Sequence, residues 1–292
     1  MQDFEGRVAV ITGAASGFGR EFARLGAARG MKLVLADVQA DALAATEAEL
    51  RAAGAEVVGV RVDVSCADDV TRLAERAYAA YGAVHLLFNN AGVGSGGLIW
   101  ENTERDWQWV LGVNLWGVIH GVRQFVPRML ASGEPGHVVN TASVAGLLNA
   151  PNMGVYNVSK HAVVSLTESL YHDLKLVQAN IGASVLCPAY VPTGIAQSHR
   201  NRPDELRDDA APTASQRAAQ AAVSKAVQGG RMSAADVARA TFAAIEAERF
   251  YVFTHPRIMP TVELRFADVL QQRNPTDPFR TKPQLRPQLN PG

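Results

Sequence analysis

The sequence has little cysteine, no net charge and no long apolar run, and each shortage argues against a class of protein. Only two cysteines, Cys66 and Cys187, occur in 292 residues. They lie far apart and in no metal-ligand spacing, so neither a disulfide-stapled secreted scaffold nor a metal site is expected. Lysine plus arginine number 28 and aspartate plus glutamate 28, a formal net charge of zero. No global field draws nucleic acid or an anionic membrane surface, and neither is expected as a partner. No apolar run approaches the roughly 20 residues that cross a bilayer. The first strand begins almost at once, at residues 7–12, which leaves no room for a signal peptide. A cytoplasmic, reducing compartment is therefore the expectation.

Apolar residues make up 48% of the chain, ample core material for one large α/β domain. Over the first two thirds, short apolar runs alternate with longer amphipathic stretches. Strands are expected at RVAVIT (7–12), KLVLAD (32–37), EVVGVRVD (56–63), HLLFNN (85–90), HVVNTAS (137–143) and IGASVLCP (181–188). Helices are expected between them, over 17–29, 39–53, 67–81, 104–131 and 153–178. In the first helix Phe18, Phe22, Leu25 and Ala28 are spaced for one buried face, and the third has Ser65 or Asp68 as its cap. Strands apolar throughout, separated by helices, imply a parallel sheet buried on both faces. Right-handed crossovers make this a doubly wound, Rossmann-type α/β sheet of about seven strands in a single domain.

The last third reads differently. Residues 194–231 are polar, with a helix-prone Ala/Gln run at 214–228, and read as a lid over the site. A helix (234–248) and a short strand, FYVF (250–253), follow. The domain is expected to span 1–273. Residues 274–292, rich in Pro, Gln and Arg, read as a tail that is disordered or draped over a neighbouring subunit.

Chemistry first enters after strand one, at Thr12-Gly13-Ala14-Ala15-Ser16-Gly17-Phe18-Gly19. Gly13 allows a sharp turn. Gly17 and Gly19 lack side chains where backbone must approach a pyrophosphate and helix must approach sheet. The helix N-terminus behind the loop offers free N–H groups and a positive dipole. A glycine cluster alone is also an ordinary tight turn, so its place between strand and helix carries the weight. Asp37 adds to it. This residue ends strand two, eighteen residues after Gly19, where a carboxylate accepts both ribose hydroxyls of an adenosine. It would repel a 2′-phosphate there, and neither Val38 nor Gln39 is basic, so NAD is expected over NADP.

Tyr156 and Lys160 stand four residues apart on one helical face. A phenol of pKa about 10 is a poor base at neutral pH. A neighbouring ammonium and a positive nicotinamide ring favour the phenolate; a shift of about three units takes about 4 kcal/mol. Tyr156 could then exchange a proton with an alcohol as hydride leaves or arrives. Tyr171 and Lys175 repeat the spacing on the same helix, about 22 Å further along its axis. Only the first pair lies just after strand five, near the carboxyl ends where doubly wound folds bind ligands. Ser143 ends strand five, thirteen residues before Tyr156, and its hydroxyl can orient a substrate oxygen.

TGAASGFG (12–19), Asp37, Asp63-Val64, NNAG (89–92), Asn114, Ser143 and YNVSK (156–160) occur in the order and spacing of one family. On these motifs the chain resembles the short-chain dehydrogenase/reductase family, single-domain branch, over roughly residues 5–195. The resemblance implies an NAD-dependent alcohol dehydrogenase or ketoreductase. By it, Ser16 and Phe18 would border the cofactor, Asp63 and Val64 would meet adenine, and Asn90, Ala91 and Gly92 would line the ribose side. Lys160 would also hold the nicotinamide ribose, Asn114 would hold a proton-relay water, and Thr193 would bind the carboxamide. The family commonly has Pro-Gly after strand six. Here the run is Pro188-Ala189-Tyr190-Val191-Pro192-Thr193, which leaves Pro188 and Val191 for the cofactor and turns Tyr190 toward the substrate.

Residues expected near the substrate are mostly apolar: Val93, Gly94, Val144, Ala145, Leu147, Leu148, Met153 and Tyr190, with Asn149 and Asn152 as polar contacts. They suggest a bulky apolar or aromatic secondary alcohol or ketone. Arg200 and Arg202 are the lid cations that could meet an anion; His199 reads as a lid residue. Residues 125–143 and the extended C-terminus partly resemble alcohol dehydrogenases that oxidise the benzylic carbon of lignin-derived aryl ethers. Reduction of a 3-oxoacyl thioester is an alternative, disfavoured by Asp37 and by chain length. A non-catalytic NAD-binding regulatory protein is another, disfavoured because Ser143, Tyr156, Lys160 and Asn114 are all present. The family resemblance also implies pairing through 104–131 and 153–178 into a homodimer or homotetramer; Val118, Ile119, Val164, Leu166 and Leu170 fit burial on two sides, and core packing alone would look the same.

Overall fold

A computed structural model describes residues 1–280, 283 and 286. Among them seven strands form one parallel sheet in the order β3-β2-β1-β4-β5-β6-β7. They are β1 (Val8–Thr12), β2 (Lys32–Asp37), β3 (Val57–Arg61), β4 (Leu86–Asn89), β5 (Gly136–Thr141), β6 (Ile181–Cys187) and β7 (Tyr251–Phe253). Helices α1 (Gly17–Ala28), α2 (Ala40–Ala52), α3 (Ala67–Tyr81), α4 (Glu104–Leu111), α5 (Gly117–Ser132) and α6 (Gly154–Leu176) separate the first six. Helices α7 (Ala214–Gln228) and α8 (Ala234–Glu246) precede β7, and α9 (Met259–Leu270) follows it. This is the Rossmann-type architecture expected from the alternating pattern.

The two-residue period of a strand sends alternate side chains to opposite faces, which builds two cores. Ala9, Ile11, Leu33 and Leu35 meet Phe22 of α1 and Phe242 of α8 on one face. Val8, Val10, Val34 and Ala36 meet Leu73 of α3 and Phe125 of α5 on the other. Phe88 stacks on Phe22 with ring centroids 4.4 Å apart. Both rings are wholly buried, so truncating either to alanine costs about 3–5 kcal/mol.

Strand β1 pairs with β2 on one side and β4 on the other. Sheet growth reverses there, so the loops leaving β1 and β4 diverge and open a crevice at the carboxyl ends. Every functional element below borders that crevice.

Several local expectations change. Strand β3 is not buried on both faces: only Val57 is fully covered, and Arg61 is exposed, because β3 is an edge. The buried face of α1 runs through Gly19, Phe22, Ala23 and Gly26, while Ala28 is exposed. Neither Ser65 nor Asp68 caps α3; Cys66 stands at its N-cap without a side-chain bond, and Ser65 instead donates to Asp63. The stretch 104–131 is two helices joined by a π-turn, Gly112–Trp116. Helix α9 lies where no element was expected. The tail expectation for 274–292 falls largely outside the described residues. Of its described part, the Thr276 N–H donates to Asp268 of α9 at 2.9 Å, and Pro278 and Phe279 reach the crevice wall. No helix of the described residues is long and apolar enough to cross a membrane.

Candidate active site

The crevice is a cavity of about 1740 Å³. Loops after β1, β4, β5 and β6 form its floor, and α7, α9 and the loop after β7 form its outer wall. Of the residues expected at cofactor, reaction centre and substrate, all but Gly19, Asn114, Leu147 and Asn149 line it. Gly19 packs behind the loop: a Cβ there would stand 2.1 Å from the Gly13 carbonyl oxygen. Leu147 is buried in the core beneath α6. Asn149 is exposed and turned away, so it is corrected as a substrate contact.

The first glycine turn is a cradle. Gly13 has φ +65°, and a Cβ on it would come within 2.9 Å of the Ala91 Cα. Only glycine fits both restrictions. Gly17 has φ +54° and would place a Cβ 3.4 Å from Thr193, across the crevice floor. The first turn of α1 holds no acidic residue, and the Ser16 hydroxyl makes no capping bond. Positive dipole, free amides and absent side chains together suit a diphosphate. Asp37 is 8% exposed; its carboxylate accepts from the Ala15 N–H (2.9 Å) and the Gln39 N–H (3.0 Å), which holds it at the rim of the cradle. Thr12 Oγ1 accepts from the amides of Asn90 and Ala91 at 2.9 and 3.1 Å, tying the loop after β4 to β1. These residues fit a dinucleotide. The Asp63 carboxylate closes its own turn on Ser65.

Tyr156 and Lys160 emerge from the first turns of α6. The Lys160 ammonium is 3% exposed, donates to the Thr141 carbonyl at 3.0 Å, and lies 5.7 Å from the Tyr156 ring centre. Burial drives Lys160 down to about 8. Tyr156 is half-buried, and desolvation pushes its phenol up to about 12, while the Ser143 hydroxyl pulls it back. The expected lowering of Tyr156 by Lys160 is thus not the balance in the protein alone, where loss of hydration outweighs the hydrogen bond from Ser143. Ser143 opens the short turn Val144–Gly146; its Oγ accepts from the Ala145 N–H at 3.2 Å and donates to the Pro188 carbonyl at 3.3 Å.

Asn114 sits in the π-turn, wholly buried, and such turns present backbone and side chain in directions a regular helix does not. Its Oδ1 accepts from the Val93 N–H at 2.8 Å, and its amide donates to the Val93 carbonyl and to Ser159. Gly92 separates it from Lys160: a Cβ on Gly92 would stand 3.3 Å from Asn114 Oδ1 and 3.5 Å from Lys160 Nζ. The missing side chain keeps that gap open.

The second pair, Tyr171 and Lys175, lies outside the cavity. Tyr171 packs edge-on against Phe250 at 5.1 Å. Arg202 is not free for an anion. It pairs with Asp106 at 2.6 Å and Asp208 at 3.1 Å, over the Trp109 ring. Arg200 donates to the carbonyls of Gly194 and Gln197, and His199 is exposed away from the wall.

Tyr190 lines the cavity together with residues that sequence reasoning missed: Trp109, Ala222 and Val223 of α7, Ile258 and Leu264 near α9, and Phe279. These make the substrate end strongly apolar. His255 was missed as well. It lies just beyond β7 with Nδ1 accepting from the Ala189 N–H at 3.2 Å, and burial lowers its pKa. Its position at the carboxyl edge of the last strand was the only signal available.

A family profile described as short chain dehydrogenase matches residues 7–204. A crystal structure of a short chain dehydrogenase/reductase from Burkholderia phymatum, in complex with NAD, superposes with a TM-score of 0.94 at 61% identity, covering 95% of this chain and 99% of that one. A CLA biosynthesis dehydrogenase/reductase of Lactiplantibacillus plantarum is 34% identical, over 94% of this chain and 97% of its own. A C alpha-dehydrogenase of Sphingobium is 41% identical, over 70% and 66% respectively.

Proposed function

The chain belongs to the short-chain dehydrogenase family, and on that premise we propose that it is an NAD-dependent dehydrogenase of a bulky apolar or aromatic secondary alcohol, reducing the ketone in reverse. The observation carrying this reading is the meeting of Ser143, Tyr156 and Lys160 on one wall of the cavity that also holds the glycine cradle. When bound, the dinucleotide supplies the hydride acceptor and, oxidised, a positive ring. Gly13, Ser16, Gly17 and Phe18 would hold its diphosphate, Asp37 its ribose, and Asp63 and Val64 its adenine. Asn90, Ala91, Gly92, Pro188, Val191 and Thr193 border the rest.

Ser143 donates a hydrogen bond to the substrate oxygen and holds it near the Tyr156 phenol. Tyr156 takes the hydroxyl proton as the carbinol hydrogen departs. Lys160, whose ammonium burial makes more acidic, at about 8, passes protons onward through the gap beside Gly92 and Asn114. In the opposite direction Tyr156 donates. Asp37 favours NAD, because a carboxylate at the ribose repels a 2′-phosphate; the NAD complex of the Burkholderia phymatum relative supports the same choice. The apolar wall formed by Ala145, Leu148, Met153, Tyr190 and α7 supports the substrate class, with Gly94 leaving room beside them. In this reading residues 194–231 act as lid of a domain spanning 1–273, in a cytoplasmic enzyme. The chain assembles as a homodimer or homotetramer; Val118, Val164 and Leu170 are buried in the subunit's own core, so the contact falls to apolar residues that α6 and the π-turn leave exposed, Val158 and Trp116.

A panel of secondary alcohols, followed by NADH absorbance and compared between wild type and Tyr156→Phe, tests the reaction. Turnover of aryl or long-chain secondary alcohols, lost in the variant, is expected. Activity confined to small charged hydroxy acids, or equal rates in both proteins, defeats it. Replacing NAD by NADP should lower turnover at least about tenfold, and Asp37→Ala should narrow the gap.

A further inference from the structure

We infer that His255 is a positioning residue for Ser143, acting through the single peptide unit that joins Pro188 to Ala189. Register places the two segments together: Cys187 pairs with Phe253 at the carboxyl ends of β6 and β7, so the residues just beyond both strands run side by side. The carbonyl of the Pro188–Ala189 unit accepts from the Val144 N–H at 2.9 Å and from Ser143 Oγ at 3.3 Å. Its N–H donates to His255 Nδ1 at 3.2 Å. A peptide unit is planar, with C=O and N–H fixed at opposite edges. Gripping both edges therefore sets the rotation of the whole plane, and releasing the N–H edge leaves the carbonyl to pivot about the Val144 N–H alone.

The same contacts settle the imidazole tautomer. A backbone amide only donates, so Nδ1 carries no proton and the ring proton is on Nε2. Thr254 Oγ1, 2.8 Å from Nδ1 and buried, then shares the one lone pair of that nitrogen with the Ala189 N–H. Burial lowers His255 and favours the neutral ring that can accept, although a backbone contact at Tyr190 opposes it. The inference rests on the assignment of Ser143 as the group that orients the substrate oxygen. It adds that the place of the Ser143 oxygen, whose single proton turns from the Pro188 carbonyl to the substrate when substrate enters, is set by a residue just beyond β7, remote in sequence from the motif that carries Ser143.

The test is a double-mutant cycle on the full-length enzyme, with 1-phenylethanol and NAD as probes, paired with crystal structures of the variants. His255→Ala should lower kcat about tenfold while leaving KM for NAD within about threefold, and should cost nothing further once Ser143 is alanine. His255→Asn, whose Oδ1 falls near the place of Nδ1, should restore most of the rate. In the His255→Ala crystal the Pro188–Ala189 plane should rotate and Ser143 Oγ should leave the Pro188 carbonyl. Multiplicative losses in the double variant, or an unmoved peptide plane, overturn the inference. If Ser143→Ala alone leaves kcat unchanged, the fault lies with the role given to Ser143, and the peptide plane in the crystal still decides the part played by His255.

Discussion

Helix α6 carries the same tyrosine–lysine spacing twice, and the two copies are locally alike. The ammonium stands 5.7 Å from the ring centre in the Tyr156 pair and 5.6 Å in the Tyr171 pair. Four-residue spacing on a helix sets that distance wherever the pair occurs. Surroundings separate the two. Lys160 is buried with one donor on Thr141, whereas Lys175 is exposed. Tyr156 faces Ser143 in a cavity, whereas Tyr171 packs on Phe250. The helix therefore supplies proximity, and the cavity at the sheet's carboxyl edge supplies the burial that shifts Tyr156 and Lys160.

The largest break in this comparison should come from the phenols. Tyr156→Phe should lower kcat by about 10³-fold, the scale of a lost general acid or base, and Tyr171→Phe by less than about twofold. Steady-state turnover with one alcohol checks both; similar losses would remove the distinction between the pairs.

The lysines should differ next, in rate and in the pH dependence of stability. Lys160→Met should lower kcat by about 10²-fold, whereas Lys175→Met should leave it unchanged. Lys160 is near 8 when folded and 10.5 as the model compound. Between those values the unfolded chain binds more protons, so this group makes wild-type stability rise with pH. Below 8 the charged, buried form costs about 3 kcal/mol. Denaturant melts should show Lys160→Met gaining on wild type at pH 7, less the lost bond to Thr141, with the gain shrinking toward pH 10. The difference for Lys175→Met should stay flat across the same range. A flat difference at Lys160 would mean that its burial carries no charge penalty.

The smallest effect belongs to packing. Tyr171→Leu gives up an edge-on contact with Phe250 and should cost about 1 kcal/mol, with kcat unaltered.

Much of the site was legible from residues because its chemistry uses short, local signals. Gly13 and Gly17 are required by positive φ in a turn three to five residues long, and Asp37 by its place at a strand end. Tyr156 and Lys160 share a face by helical period alone. Helix α9 escaped because its apolar residues do not make one stripe: Val262 and Asp268 are buried, while Phe266, Val269 and Leu270 face outward. Asn149 was misplaced because adjacent positions in a loop have no fixed period, so Leu148 lines the cavity and Asn149 does not. The edge strand β3 has the apolar residues of a central one, and nothing within it tells its rank in the sheet. His255 escaped because its partner, Ala189, lies 66 residues away.

The linear order of residues determined the alternation of strands and helices, the glycine turn, the acidic strand end and the pairing of phenol with amine. Each depends on contacts within a few residues, where backbone sterics and helical period act. Tertiary structure decided which of two identical pairs enters the cavity, how far burial moves Lys160 and Tyr156, that Arg202 is held by Asp106 and Asp208, and that His255 beyond β7 meets Ala189 beyond β6. Those outcomes depend on desolvation and on contacts between remote segments, which exist only once the sheet has brought the ends of its strands together.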